Sequence, residues 1–190
     1  AYNHLAIVYK DLGRTQLAAN AVRQAIRLAP QEASFHYTLA RHEREMGELK
    51  GALDALREAV RLKPQFPEAL HDLGEVCASL GDHEGAVEAF RRAVHARGDN
   101  PLTHLGLGRS YVALKRYVEG IEALKQCTQL KRDHVEAWQE LGATYGLLNR
   151  HDEAVQAFRQ CLTLRPNDPD SLQHLGVAYA SMGLQQDAVD

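Results

Sequence analysis

A Leu-Gly step returns along this chain at one fixed interval. It stands at Leu73-Gly74, Leu107-Gly108, Leu141-Gly142 and Leu175-Gly176, each 34 residues from the last. Two further steps back reach Leu39-Ala40 and Leu5-Ala6, and no insertion or deletion breaks the register. A second series keeps the same interval: Ala18, Ala52, Ala86, Gly120, Ala154 and Ala188, accompanied by Ala25, Ala59, Ala93, Cys127 and Cys161. Between the two small positions lies an apolar residue: Val22, Leu56, Phe90, Leu124 or Phe158. Self-similarity at such a period marks a chain built from repeated supersecondary units, and it constrains the fold more tightly than any bulk property.

Inside a unit the apolar residues recur at three and four. Leu70, Leu73, Cys77 and Leu80 form one such stripe, and Ala86, Phe90 and Ala93 form the next. That spacing predicts two amphipathic helices per unit. Gly81 follows the first stripe, where a left-handed helix terminus favours glycine. Pro67, Pro101 and Pro169 open first helices, where a missing N–H costs nothing. The register places first helices near 1–12, 33–46, 67–80, 101–114, 135–148 and 169–182. Second helices fall near 15–28, 49–62, 83–96, 117–130, 151–164 and 185–190. Small residues at Gly74, Ala86 and Ala93 let helix backbones approach, while Leu73 and Phe90 fill the remaining space. One pair cannot bury its apolar face alone; stacking on the next pair does so and yields a solenoid.

Trp138, Leu141, Gly142, Tyr145, Ala154, Phe158 and Pro166 nearly spell the signature of the tetratricopeptide repeat family in one unit. The chain resembles that family along its whole length. The resemblance implies an all-α, right-handed superhelical solenoid of antiparallel helix pairs. It would form one array, with units at 1–32, 33–66, 67–100, 101–134 and 135–168 and a truncated unit at 169–190. Some positions depart from the pattern. Gly98 and Arg132 replace the closing proline, and Lys115 and Asn149 replace the glycine found at Gly13, Gly47, Gly81 and Gly183. Glu43 and Cys77 replace the aromatic seen as Tyr9, Tyr111, Tyr145 and Tyr179. These departures are expected to weaken individual units. Both ends fall mid-pattern, so a fragment of a longer protein is expected. Its open ends would favour further repeats, a capping helix or self-association.

Composition narrows the function. Lys plus Arg is 22 against 25 for Asp plus Glu, a net charge of -3 without a basic run, so no nucleic acid partner is expected. Nothing approaches the apolar length of a membrane span, and no membrane insertion is expected. Aromatics at 6% argue against an all-β fold. Cys77, Cys127 and Cys161 lack disulfide or zinc spacing and read as small core residues in a reducing, cytoplasmic setting. His71 and Glu75 share a helix face, but His-Glu-x-x-His is absent and no metal site is expected. There is no nucleophile elbow, phosphate loop or dinucleotide glycine pattern, so neither catalysis nor a cofactor is expected.

The family resemblance implies that exposed first-helix residues line a concave groove and contact a protein or peptide partner. In the first two units these are Lys10, Tyr37, Arg41 and Arg44, and in the third His71, Asp72 and Glu75. The fourth unit offers Leu102, Leu105, Arg109 and Val112, and the fifth Gln139, Glu140 and Leu147. The groove is thus mixed to basic at first, acidic in the middle and largely apolar later. Leu102, Leu105, Val112 and Leu147 stand where a solvated face would be polar, and an apolar patch rimmed by charge marks a partner site. An extended or helical peptide is expected there, oriented by Arg109, Glu136 and Glu140. The carboxylate clamp of chaperone-binding family members is absent. So is the asparagine ladder of O-GlcNAc transferase arrays, whose positions here hold His4, Thr38, Asp72, Gly106, Glu140 and His174. Two other readings stay open: a substrate-recruiting array attached to an enzyme such as a glycosyltransferase, and a self-associating structural oligomer. Glu43 and His36, both on the packed stripe of the second unit, are expected to need a local partner.

Overall fold

The computed structural model describes residues 2–183, with Asn3 by its backbone only. The chain forms two compact units, 1–98 and 99–190. In the first, α1 (Tyr2–Asp11), α3 (Ala33–Glu45) and α5 (Pro67–Ser79) alternate with α2 (Thr15–Leu28), α4 (Leu49–Leu62) and α6 (His83–Ala96). In the second, α7 (Pro101–Ala113), α9 (Val135–Leu147) and α11 (Pro169–Ser181) alternate with α8 (Tyr117–Leu130) and α10 (His151–Leu164). Every second helix from α2 to α10 has the bounds its register predicts. From α3 onward each first helix ends one residue early, at Glu45, Ser79, Ala113, Leu147 or Ser181. The second helix expected at 185–190, with Ala188, lies outside the described residues.

The early stop has a local cause. In the Schellman closure of α5, the Gly81 N–H donates to the Ala78 carbonyl at 3.0 Å and the Asp82 N–H to the Cys77 carbonyl at 2.9 Å. The residue at the turn must then adopt positive φ, as Gly81 does at 80°. Lys115 and Asn149 take the same conformation without being glycine, at φ 60° and 57°. Their closures are intact: Arg116 N–H reaches the Tyr111 carbonyl at 2.8 Å and Arg150 N–H the Tyr145 carbonyl at 3.0 Å. The expected weakening of these two units is therefore confined to backbone strain, and helix geometry is kept.

Helix starts are also legible. Asp82 caps α6 through the Gly85 N–H, Asn100 caps α7 through the Leu102 N–H, and Asp168 caps α11 through the Ser171 N–H. At the starts of α8 and α10 an arginine stands in the cap position. Arg116 and Arg150 each pair with the glutamate three residues on, Glu119 and Glu153. Each also lies over a tyrosine ring, Tyr111 at 4.7 Å and Tyr145 at 4.8 Å.

The core follows the two small-residue series. Each first helix packs on its own second helix, and each second helix packs on the next first helix within its unit. Gly142 lies against Phe158 so closely that a Cβ would sit 2.8 Å from the ring, and Gly74 meets Phe90 in the same way at 2.6 Å. In these two pairs a glycine facing an aromatic is the joint that sets helix spacing, and in α7–α8 Gly108 facing Leu124 takes that place. In the second unit the core gathers Leu105, Ile121, Leu124, Leu141, Tyr145 and Phe158 around Ala137, Ala154 and Cys127. In the first unit Ala6, Ala18, Ala21 and Val22 pack with Tyr9, Ile26, Phe35 and Leu39.

Candidate protein-binding surface

The first helices present a polar face whose side chains bridge from one first helix to the next. In the first unit, Lys10 on α1 reaches Glu45 on α3 at 3.8 Å, and Arg44 on α3 reaches Asp72 on α5 at 3.0 Å. Both partners of the Lys10 pair are exposed, so it contributes little. The Arg44 pair differs, because Asp72 is buried. The Tyr37 hydroxyl lies close to the same carboxylate. Burial, then the negative charge of Asp72, pushes that hydroxyl up to about 12. Arg41 lies over the Tyr37 ring at 5.9 Å, and that ring packs at 4.9 Å from Phe66. His71 is half-buried and its ring lies 5.7 Å from Phe90, while Glu75 is exposed.

The second unit repeats this device. Arg109 on α7 donates to Glu140 on α9 at 2.8 Å, and Glu140 holds the repeat position that Asp72 holds in the first unit. Gln139 donates to Asp168 at 2.9 Å and lies 3.4 Å from the Ser171 hydroxyl. Glu136, expected to orient a peptide, is taken up by Arg165 at 3.3 Å and lies 3.2 Å from His134. The carboxyl of Glu136 is held below its usual range, first by a bond to its own backbone N–H, with Arg165 adding to the shift. The charged residues of this face thus spend their first interactions on one another.

The apolar positions separate. Leu102 and Leu147 are 50% and 59% exposed. They lie near the start of α7 and the end of α9, about 16 Å apart along the helix direction at 1.5 Å per residue. Val112 is half-buried and its methyl group approaches Gly120. Leu105 is only 6% exposed and belongs to the core cluster with Ile121, Leu124 and Leu141. The expectation that Leu105 lines an open apolar patch is corrected accordingly. Its repeat position, shared with Tyr37, His71 and Gln139, faces the crevice toward the next first helix, and a branched aliphatic side chain there is drawn fully inside.

A cavity of 250 Å³ opens between α9 and α11. Gln139, Glu140 and Ala143 form one wall, Asp170, Ser171 and His174 the other, and Phe158 the floor. His174 stacks on Phe158 at 5.3 Å and is held by the Asp170 carbonyl at 2.6 Å. Sequence reasoning finds Gln139 and Glu140 but not Phe158 or Ser171. Phe158 reads as a packing residue because its floor position depends on the gap between two first helices.

The groups considered for chemistry are structural. Cys77, Cys127 and Cys161 are buried free thiols, and burial pushes Cys127 and Cys161 up to about 11. Such thiols are protonated and poorly nucleophilic at neutral pH. Among the described residues no group of three or more His, Cys, Asp or Glu side chains is placed to hold a metal ion, and no helix is long and apolar enough to cross a membrane. Glu43 is buried and its partner is Arg23 on α2 at 2.7 Å; Gly51, where a Cβ would fall 2.8 Å from the carboxylate, makes room for it. His36 is only part-buried and bonds to the Pro30 carbonyl at 2.9 Å.

Known structures share this fold. MamA matches with a TM-score of 0.81 at 23% identity, over 84% of this chain and 87% of its own. YrrB, described as a TPR protein with an unusual peptide-binding site, matches at 0.83 and 18% identity, over 90% of this chain and 89% of its own. PilW, described as a widely conserved type IV pilus biogenesis factor, matches at 0.76 and 18%, over 98% of this chain and 87% of its own. No curated protein matches the sequence. Tetratricopeptide repeat profiles match residues 4–67 and 37–101, 78–145, and 135–168. With helix pairs of constant length, glycine–aromatic joints and profile matches that overlap from residue 4 to 168, the chain belongs to the tetratricopeptide repeat family.

Proposed function

We propose that this protein is a non-catalytic scaffold that binds a peptide or helix of a partner protein on its first-helix face. The observation that carries the reading is the cavity between α9 and α11. It has an aromatic floor, a small residue at Ala143, and amide, carboxylate and imidazole groups on its walls. A site of that make-up accepts an apolar side chain while bonding the backbone beside it. Ala143 and Val177 hold the same repeat position on α9 and α11, and both are exposed. Ala143→Arg with Val177→Arg is expected to abolish partner capture with helicity unchanged. A photo-crosslinker at position 143 is expected to label the partner of the unmodified protein. Undiminished capture by the folded double variant would overturn the reading.

One observation favours a second reading, association between copies. Leu5 and Val8 on α1 and Leu12 just after it are exposed, whereas their repeat equivalents, Leu39 and His42 on α3 and Met46 just after it, are half-buried or buried. Light scattering across concentration tests it, and a strict monomer rejects it.

A further inference from the structure

Consecutive second helices also enclose grooves, each floored by the first helix between them. One lies between α2 and α4 over α3, with a volume of 410 Å³; another lies between α8 and α10 over α9, with a volume of 590 Å³. Every lining position of the first has its counterpart in the second, three repeat periods on: Arg23 with Lys125, His36 with Trp138, Glu43 with Tyr145, and Asp54 with Gln156; the second lining adds Gln129 and Arg159, whose counterparts Arg27 and Arg57 do not line the first. The backbone frame is therefore shared, and the side chains alone set what each groove can hold.

The charges differ. In the α2–α4 groove, Arg23 is consumed by the buried Glu43, and Asp54 and Glu58 leave the lining acidic. In the α8–α10 groove the only acid of the lining, Glu153, is paired with Arg150 from outside it. Lys125 lies 6.0 Å from the Tyr145 ring centre and Arg159 lies 5.6 Å from that of Tyr179. Among the described residues neither cation forms an ion pair, so each retains its capacity for a carboxylate. Gln129, Gln156 and Gln160 are exposed and make no side-chain hydrogen bond among the described residues. Each amide offers both donor and acceptor to a passing backbone. Trp138 is half-buried, and its indole N–H already donates to the Arg132 carbonyl at 2.8 Å. What it has left to offer the groove is apolar ring.

We propose that the α8–α10 groove is a second docking site, and that its occupant is an extended acidic segment of a partner protein. The backbone lies along the glutamine rim, carboxylates meet Lys125 and Arg159, and an apolar side chain covers Trp138. Helices α8 and α10 each have 14 residues. They span about 21 Å at 1.5 Å per residue, the length of about six extended residues. Two cations match the acids of so short a segment. A nucleic acid backbone, with its denser charge, needs more.

Trp138 is the single tryptophan, so its emission reports this groove alone. The probe is an acetylated, amidated peptide of three Glu-Leu repeats, titrated into the whole chain. A saturable emission shift is expected, weakened by about tenfold or more in high salt, as for any charge-steered contact. A Lys-Leu peptide of equal length is expected to give no shift. Lys125→Glu with Arg159→Glu is expected to exchange these preferences, and Lys125→Gln with Arg159→Gln to lose the acidic response without gaining the basic one. An acidic response that persists in either folded double variant overturns the proposal. So does an equal response of the unmodified protein to both peptides, or a response to oligothymidylate as strong as that to the Glu-Leu peptide. Lys125 and Arg159 stand on second helices and neither lines the α9–α11 cavity, so this outcome is read apart from the first-helix site.

Discussion

Arg44 on α3 lies 3.0 Å from Asp72 on α5, with the guanidinium side exposed and the carboxylate buried. The asymmetry decides what removal does. Without Arg44 the Asp72 carboxylate loses its ion pair, and a buried charge left short of partners costs more than a surface pair contributes. Arg44→Met is expected to destabilise the protein by about 1–2 kcal/mol. Asp72→Asn, which removes the charge and keeps the side chain's shape, is expected to cost less, and the double variant to recover part of the loss. Denaturant midpoints of the three proteins measure this. A neutral Arg44→Met would show that water already satisfies the carboxylate.

Lys115 carries φ 60° at a position that is glycine in most other repeats, while Asn149 carries φ 57°. A left-handed backbone costs an L-residue roughly 1–2 kcal/mol, less for asparagine, against about 0.5–1 kcal/mol for the extra chain entropy of glycine. Lys115→Gly is therefore expected to raise stability by about 0.5–1 kcal/mol, and Asn149→Gly by less. Thermal melting of the two variants orders them. A lower melting temperature for Lys115→Gly would mean that its side chain contributes something the backbone argument omits.

Much of the fold was legible because one interval governs it. The register alone placed the second helices, and the left-handed terminus read at Gly81 proves to recur where Lys115 and Asn149 replace the glycine. The candidate surface was legible only in part. Arg44, Asp72, Arg109 and Glu140 do lie on the first helices, but nothing local shows that Arg44 reaches Asp72 or that Arg109 reaches Glu140 across to the next repeat. Leu105 looks exposed on its own helix and is buried because Ile121 and Leu124 of α8 and Leu141 of α9 close around it. Trp138 and Tyr145 belong to the family signature and read as packing residues. Their second face, toward the α8–α10 groove, emerges only when two second helices flank them.

Leu105 and Leu147 offer a direct contrast. Leu105→Glu places a carboxylate among Ile121, Leu124 and Leu141 without a partner, and is expected to unfold the second unit or cost it several kcal/mol. Leu147→Glu alters a side chain that is 59% exposed and is expected to change stability by less than about 0.5 kcal/mol. Circular dichroism melts distinguish the two. Equal, small effects would place Leu105 outside the core.

His42 supplies the acid-side test. It is 3% exposed, and its Nδ1 atom has no hydrogen-bond partner. Burial is the main force on its imidazole and holds it below the usual value of 6.5; Lys10 and Arg41 act in the same direction, and Glu45, 3.7 Å away, opposes them. The unfolded chain therefore takes up this proton more readily than the folded one. The stability due to neutral His42 is complete above pH 6.5 and is lost as the pH falls through 6.5 toward the lower folded value. The paired carboxylates Glu136, Glu153 and Asp168 are held below their usual values and begin to matter only at lower pH. Between pH 7.5 and 5 the melting temperature is expected to fall. In His42→Thr, which installs the residue found at this repeat position as Thr144, that slope is expected to flatten. An unchanged slope in the variant would assign the acid sensitivity to another histidine.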